Sequence, residues 1–346
     1  MKLPAYVKYF ILGFIILVIL SLVMLFNIAF KSNVELSHGK DHAFIKIATG
    51  STYEDVIDTL QKDSLLENHK TFRILAKRKN YPNHVYPGNY KIEDGMSNNE
   101  LINLLRSGKQ EPVDVIFNNI RTASQLAGII SGQIEADSAA IDSLLHDESF
   151  LKQYGLNKQT RLTIFIPNTY EFFWDTQAKD FIERMAGESK TFWSGEREEK
   201  LKNIPLNQKE VFTLASIVDE ETAKQDEMDR IAGVYMNRLK RGMRLQADPT
   251  IKYAHGNFGM KRVLKKHLEV DSPYNTYKYS GLPPGPISVP SIQAIDAVLN
   301  YEDHSYLYFC AKDDFSGYHV FSRNLRQHLN NARKYQRALT EKRIFR

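Results

Sequence analysis

The 346-residue chain contains a single cysteine, Cys310. No disulfide can therefore form within it. Cys310 sits in the apolar run Tyr306-Leu307-Tyr308-Phe309-Cys310-Ala311, which reads as a buried strand carrying a structural thiol. Also missing are a His-Glu-x-x-His pair, any Cys/His set at metal-ligand spacing, a Gly-x-Ser-x-Gly elbow and a glycine loop fit to cradle phosphate. These absences argue against nucleotide chemistry and serine hydrolysis, and no metal or cofactor is implied. The ten histidines are scattered. Repeats and low-complexity tracts do not occur. The net charge of +5 is small and spread along the chain. It suits an acidic polymer or a lipid surface but leaves no nucleic-acid footprint.

What is present begins with a long uncharged stretch. Tyr9 to Phe30 reads YFILGFIILVILSLVMLFNIAF. At about 1.5 Å per residue such a helix reaches about 33 Å, enough to cross a hydrocarbon core. A cleaved signal peptide would have a shorter apolar region followed by a small-x-small site, and neither is found. An uncleaved anchor is expected over 9–30. Lys2 and Lys8 precede it with no acid, while Lys31 and Lys40 follow. The positive-inside rule places the tail, 1–8, in the cytoplasm and the bulk of the chain outside.

Residues 31–41 read as a polar linker. Ala43 to Ala48 alternates like a strand, and Ser51 is a plausible cap for the helix that follows. A second helix spans about 70–78, and Pro87-Gly88 turns into a strand. Ser97 and Glu100 stand at capping-box spacing before a helix ended by Gly108. The stretch 42–112 is thus a small α+β unit whose strand-helix-helix-strand order resembles the LysM module, which binds glycan strands. Further on come a strand from Val113 to Phe117, helices rich in small polar residues, and a long helix from about Met228 to Lys240. Asp248 is expected in a loop, because Pro249 disfavours helix before it. The segments from Pro273 to Tyr277 and Gly281 to Pro286 read as ordered loops.

The chemistry concentrates in Leu214-Ala215-Ser216-Ile217-Val218-Asp219-Glu220-Glu221-Thr222, an apolar helix ending in three carboxylates. At about 100° per residue, Val211, Leu214, Ala215 and Val218 form one stripe. Glu220 falls on the opposite, polar side with Thr213. Glu221 and Asp219 fall on the two shoulders of the stripe. A carboxyl held against apolar surface is harder to ionise and can carry a proton near neutral pH, as a glycosidic-bond acid must. Periodicity leaves Glu221 and Asp219 undecided, and the plain alternative is a solvated acidic helix end. Loops rich in Asn, Gln, Tyr and Thr suit sugar hydroxyls and N-acetyl groups.

Three ordered motifs then carry a resemblance. They are Ala215-Ser216-Ile217-Val218-x-x-Glu221-Thr222, Val234-x-x-Asn237-Arg238-Leu239-x-x-Gly242-Met243-x-Leu245-Gln246-x-Asp248-Pro249-Thr250, and Tyr274-Asn275-Thr276-Tyr277-x-x-x-Gly281-Leu282-Pro283-Pro284-Gly285-Pro286-Ile287. Together they resemble the MltG (YceG-like) endolytic murein transglycosylase family, over about 42–335. The resemblance implies an α+β protein with a transmembrane helix, a LysM-like small module and a mixed α/β catalytic domain over 113–340. It implies a peptidoglycan lyase of the cytoplasmic (inner) membrane that cuts nascent glycan strands internally, leaves 1,6-anhydroMurNAc ends and terminates elongation. Peptidoglycan synthases would be its partners. It selects Glu221 as the acid/base and gives Asp219 a supporting part. It directs attention to Gln246, Asp248, Tyr274, Asn275, Thr276 and Tyr277 for substrate binding. Two departures stand out. Asn168 occupies a position that is Asp in the Pro-Asp-Thr-Tyr of relatives, and Asn118-Asn119 replaces their Glu-Gly, which leaves the local loop conformation open. A two-carboxylate hydrolase, with Asp219 or Asp248 as second acid, and a non-catalytic glycan-binding anchor remain as alternatives.

Overall fold

Helices are the main regular structure, with short strands between them. The computed structural model describes residues 4–36 and 39–342. Lys2 of the tail, and Ser37 and His38 of the expected linker, lie outside the described residues. The chain divides into two compact units.

The first unit runs to Val115, and the segments Gln133–Glu135 and Glu171–Thr176 return to it. It holds α1 (Ala5–Phe30), β1 (His42–Ile47), α2 (Tyr53–Lys62), α3 (His69–Arg78), β2 (Gly88–Glu93), α4 (Asn98–Ser107) and most of β3 (Val113–Ile116). Helix α1 is long and apolar enough to cross a membrane, and nearly all its large side chains are exposed. β1 and β2 pair antiparallel, from His42 opposite Glu93 to Ile47 opposite Gly88. The alternation sends Ile45, Ile47, Tyr90 and Ile92 into a core with Ile57, Leu60, Phe72, Leu101 and Leu105. The capping box of α4 is present, with Ser97 and Glu100 bonding each other's backbone N–H. Gly108 ends that helix at φ 66°. The cap of α2 is Thr52, not Ser51: Thr52 and Asp55 form the reciprocal pair one residue later. Lys46 lies 5.5 Å from the ring centroid of Trp174, one of the returning segments.

The remaining elements are α5 (Ala123–Ser131), α6 (Ser138–Leu144), α7 (Glu148–Gln153), β4 (Thr169–Phe172), α8 (Ala178–Phe192), α9 (Glu196–Lys202), α10 (Gln208–Glu221), α11 (Gln225–Lys240), α12 (Asp248–Ala254), α13 (Ile292–Leu299), β5 (Tyr308–Ala311), β6 (His319–Ser322) and α14 (Leu325–Glu341). Helix α10 is the centre of the second unit and packs against α11 and α13. Its start is fixed by a capping box between Asn207 and Glu210. Every residue from Val211 to Val218 is buried, Thr213 and Ser216 included. The two-sided helix read from periodicity is therefore corrected. Thr213, on the supposed polar side, and Ser216 can both be buried because their hydroxyls donate to backbone carbonyls one turn back.

Two more readings change. Asp248 opens α12 rather than sitting in a loop, because proline is tolerated in a helix's first turn. Cys310 lies on a strand, but a half-buried one. The Asn118-Asn119 turn is made by Asn119 at φ 50°, a conformation asparagine tolerates better than most residues.

Candidate active site

The last turn of α10 sends its three carboxylates to three different places. Asp219 accepts from the hydroxyl and the backbone N–H of Ser291, the cap of α13. Glu220 is clamped by Arg121 at 2.6 and 2.9 Å. Glu221 faces a cavity of about 420 Å³. The helix stops there because Thr222 is extended, and its hydroxyl accepts from the Lys224 N–H to start the turn into α11. Ser216 locks the helix from behind: its hydroxyl accepts from the Ile287 N–H at 3.0 Å. That bond ties α10 to the loop that ends at Pro286-Ile287.

The Glu221 carboxyl accepts from the Tyr235 hydroxyl at 2.8 Å. Tyr235 is itself buried and comes from the middle of α11. Burial raises the Glu221 pKa from 4.5 to about 7. The Tyr235 hydrogen bond opposes that rise, nearby Asp248 adds to it, and Lys252 and Arg238 oppose it. The result is a carboxyl that can both give and take a proton near neutral pH.

Gln246, Asp248 and Tyr277 line the same cavity. Tyr277 donates to Asp248 at 2.6 Å. Gln246 is held at φ 51°, a left-handed conformation uncommon outside glycine, with its N–H on the Thr276 carbonyl. Leu245 and Ala247 are buried on either side, which turns the Gln246 and Asp248 side chains outward. Tyr274, Asn275 and Thr276 do not line the cavity. Asn275 is fully buried and donates to the Leu268 and Val270 carbonyls. Thr276 accepts from the Ala247 N–H and bonds the Thr250 hydroxyl. Tyr274 packs its ring on Tyr253, centroids 4.6 Å apart. These three shape the loop behind the wall. Asn168 is exposed and also absent from the cavity.

Several wall residues had no signal in the sequence. Tyr235 meets Glu221 only because of how α10 and α11 cross. Tyr308, Phe309, Cys310 and His319 come from β5 and β6, and His328 from α14. The supposed structural thiol thus lines the cavity, its pKa raised by burial. His319 bonds the buried Glu227 carboxylate through its backbone N–H and Nδ1, each at 3.0 Å. The carboxylate is an acceptor, so Nδ1 carries the hydrogen and Nε2 is the ring nitrogen left over. Arg238 is buried, and its guanidinium donates to the Leu307 and Leu245 carbonyls, joining the residue that precedes β5 to the Gln246 segment. Among the described residues no group of three or more His, Cys, Asp or Glu side chains is arranged to hold a metal ion.

The site's electrostatics make a signed prediction. Activity that needs protonated Glu221 should fall as pH rises through about 7. Tyr235→Phe removes a bond to the ionised form, so the descending limb should move to higher pH. Asp248→Asn removes a negative charge, so the limb should move lower. The pH dependence of kcat/KM for the three proteins checks this, and shifts of the opposite sign would refute the assignment.

A mixed α/β protein with an apolar N-terminal helix and a cavity lined by one buried glutamate of raised pKa is the class these features define. Residues 45–334 match the YceG-like family. The chain is 31% identical over 314 residues to the endolytic murein transglycosylase of Bacillus subtilis, covering 86% of each. It is 30% identical to that of Streptococcus pneumoniae serotype 2, over 86% of this chain but 59% of that longer relative. A crystal structure of a yceG-like protein from Listeria monocytogenes aligns with a TM-score of 0.57 at 29% identity, over 84% of this chain and 99% of that one. The chain belongs to the YceG-like family.

Proposed function

We propose that this protein is an endolytic murein transglycosylase, a lyase acting on peptidoglycan glycan strands. The observation that carries the reading is Glu221, its pKa raised to about 7, in an open cavity walled by hydroxyl, amide and aromatic groups. The names of the Bacillus and Streptococcus relatives support the substrate.

In this reading Glu221 protonates the oxygen that links MurNAc to GlcNAc. The C1–O bond breaks as the C6 hydroxyl of the same MurNAc closes on C1. The hydroxyl proton passes to the Glu221 carboxylate, which restores the resting acid. Atoms balance without water, and the product is a 1,6-anhydro end. Intramolecular attack draws on proximity, so no second catalytic carboxylate is required. Tyr235 steadies the carboxylate formed midway. Gln246, Asp248 and Tyr277 are the substrate contacts, with Tyr274, Asn275 and Thr276 holding the loop that presents them. The test is to give the full chain, in neutral nanodiscs, uncrosslinked glycan strands. Strands should shorten from within, without early release of disaccharides. Disaccharide release from the outset would contradict an endolytic cut.

Asp248 beside Glu221 gives one other reading substance. A hydrolase would use it as the second carboxylate. The chemistry of the new end separates the two.

The organisation that goes with the reading is a cytoplasmic tail at 1–8, an inner-membrane anchor at 9–30, a linker at 31–41, a LysM-like glycan-binding module at 42–112 and a catalytic domain at 113–340. Peptidoglycan synthases in the same membrane are the proposed partners. A reporter fused after the last helix should be active only outside the cytoplasm. Activity confined to the cytoplasm would reverse the orientation.

A further inference from the structure

A second concavity, distinct from the one that holds Glu221, lies within the same unit. It is a groove of about 600 Å³ lined by Arg323, Arg333, Lys334 and Arg337, with no acidic residue among its walls. Three of the four cations lie on α14, at positions 333, 334 and 337, where i and i+3 or i+4 share a face. None of the four forms an ion pair among the described residues. Cations on a helix are ordinarily solvated and scattered. Here they converge on a concave surface whose floor is aromatic. The Tyr306 and Phe321 rings lie there with centroids 5.7 Å apart, and Arg323 sits 5.9 Å from the Tyr306 ring. Gln327 and Asn330 add amides to the wall.

Such a lining selects its ligand by charge and shape. Uncompensated guanidinium and ammonium groups call for anions, and guanidinium matches a carboxylate in a two-pronged bond. The aromatic floor and the amides call for a ligand with apolar and amide parts between its charges. A bare sugar chain offers hydroxyls and N-acetyl groups but few fixed negative charges. A short peptide with several free carboxylates meets all three demands.

The groove and the Glu221 cavity share two elements of the fold. Both draw wall residues from β6 and α14. Leu325 and His328 of α14, with Tyr308 to Ala311 and His319, wall the Glu221 cavity. Phe321 and Ser322, at the end of β6, and Asn330, Asn331, Arg333, Lys334 and Arg337 of α14 wall the groove. A glycan strand in one and a peptide branching from it in the other is a geometry this shared partition allows.

We propose that this groove binds the carboxylate-bearing stem peptides of the glycan strand, and that it is what makes the enzyme favour peptide-bearing over peptide-free strands. The proposal rests on the reading of the protein as a murein transglycosylase. A second contact on one chain raises the effective concentration of the strand at Glu221, so it should act on KM and not on kcat.

The test compares the full chain in phosphatidylcholine nanodiscs with its Arg333→Gln/Lys334→Gln/Arg337→Gln variant. These positions are exposed, so the fold is expected to tolerate the changes. Two substrates are used: strands with stem peptides intact, and the same strands stripped of them by an amidase. Wild type should show a KM at least about ten-fold lower on the peptide-bearing strands, the size of one good charged contact. The triple variant should lose that preference while its kcat, and its KM on stripped strands, stay at wild-type values. Equal KM for wild type on both substrates would overturn the proposal, as would a variant that loses equally on both. The measurement is repeated in phosphatidylglycerol nanodiscs. Were the substitutions to matter only with that anionic lipid, the groove would be a lipid site and the proposal would fall. Binding of both strands to Glu221→Gln, and to Glu221→Gln carrying the triple substitution, keeps the question separate from the reaction. If wild type cuts neither strand, the transglycosylase reading fails, while a binding preference that the triple substitution abolishes still supports the groove.

Discussion

Glu221→Gln should abolish strand cutting and leave the protein folded. Glutamine keeps the volume and can still accept the Tyr235 hydrogen bond, but it cannot transfer the proton. Removing a positioned acid/base group costs about 10² to 10⁴-fold in rate, and one group serving both proton transfers should reach the upper part of that range. The same change should stabilise the fold in a pH-dependent way. The Glu221 pKa is raised in the folded chain, from 4.5 to about 7. Its contribution is therefore fully present below pH 4.5 and is lost as pH rises through about 7. The loss amounts to about 3 kcal/mol, from the size of the shift. Relative to wild type, Glu221→Gln should then gain stability across that window and hold the gain above it. Glu220→Gln is the control. Its ion pair with Arg121 is half-buried, so it should cost about 1 kcal/mol of stability and leave the rate alone. Full activity in Glu221→Gln, or an inactive Glu220→Gln, would refute the assignment of Glu221.

Gly285→Ala should be among the most destabilising single-atom changes in the chain. A Cβ there would stand 2.1 Å from the Gln159 carbonyl oxygen and 2.7 Å from its carbon. The obstacle is backbone, so no side chain can swing aside. Overpacking of this kind costs about 1–3 kcal/mol or more. The shift would also pull on Ile287, whose N–H holds Ser216 on α10, so the pH dependence set by Glu221 should change too. Gly128→Ala gives the contrast. It lies within α5, and nothing stands within 4 Å of its added Cβ. Alanine there should gain about 0.5–1 kcal/mol from helix propensity. Denaturant unfolding of the two variants decides the matter, and a Gly285→Ala no weaker than Gly128→Ala would contradict the packing described.

Local rules were legible where one short stretch of chain decides the outcome. The Ser97–Glu100 capping box, the end of α4 at Gly108 and the alternation of β1 all follow from neighbours in sequence. The cap of α2 was misplaced by one residue, because Ser51 and Thr52 both precede an acid and only the backbone turn chooses Thr52. The apolar stripe of α10 (Val211, Leu214, Ala215 and Val218) is legible and buried, but its opposite side is not. Periodicity assumes one wet side, whereas this helix is enclosed by α11, α13 and the Pro286-Ile287 segment. Glu221 was singled out by motif resemblance, not by helical phase. Its partner Tyr235 is 14 residues away on another helix. His319 and Glu227 are separated by 92 residues. Contacts of that kind arise from packing, and nothing local announces them. Asn275 and Thr276 show the converse error. Their polarity pointed to a ligand, but Asn275 spends it on the Leu268 and Val270 carbonyls and Thr276 on the Ala247 N–H and the Thr250 hydroxyl.

The most direct test of the central claim is the chemistry of the new strand ends. Full-length wild-type protein is incubated with uncrosslinked glycan strands, and the termini are read by mass spectrometry. Ring closure by the C6 hydroxyl predicts that each cut yields one 1,6-anhydroMurNAc end, in amounts that match the cuts, and that none appear with Glu221→Gln. Reducing MurNAc ends carrying an added water would contradict the account and point to Asp248 as the second carboxylate of a hydrolase.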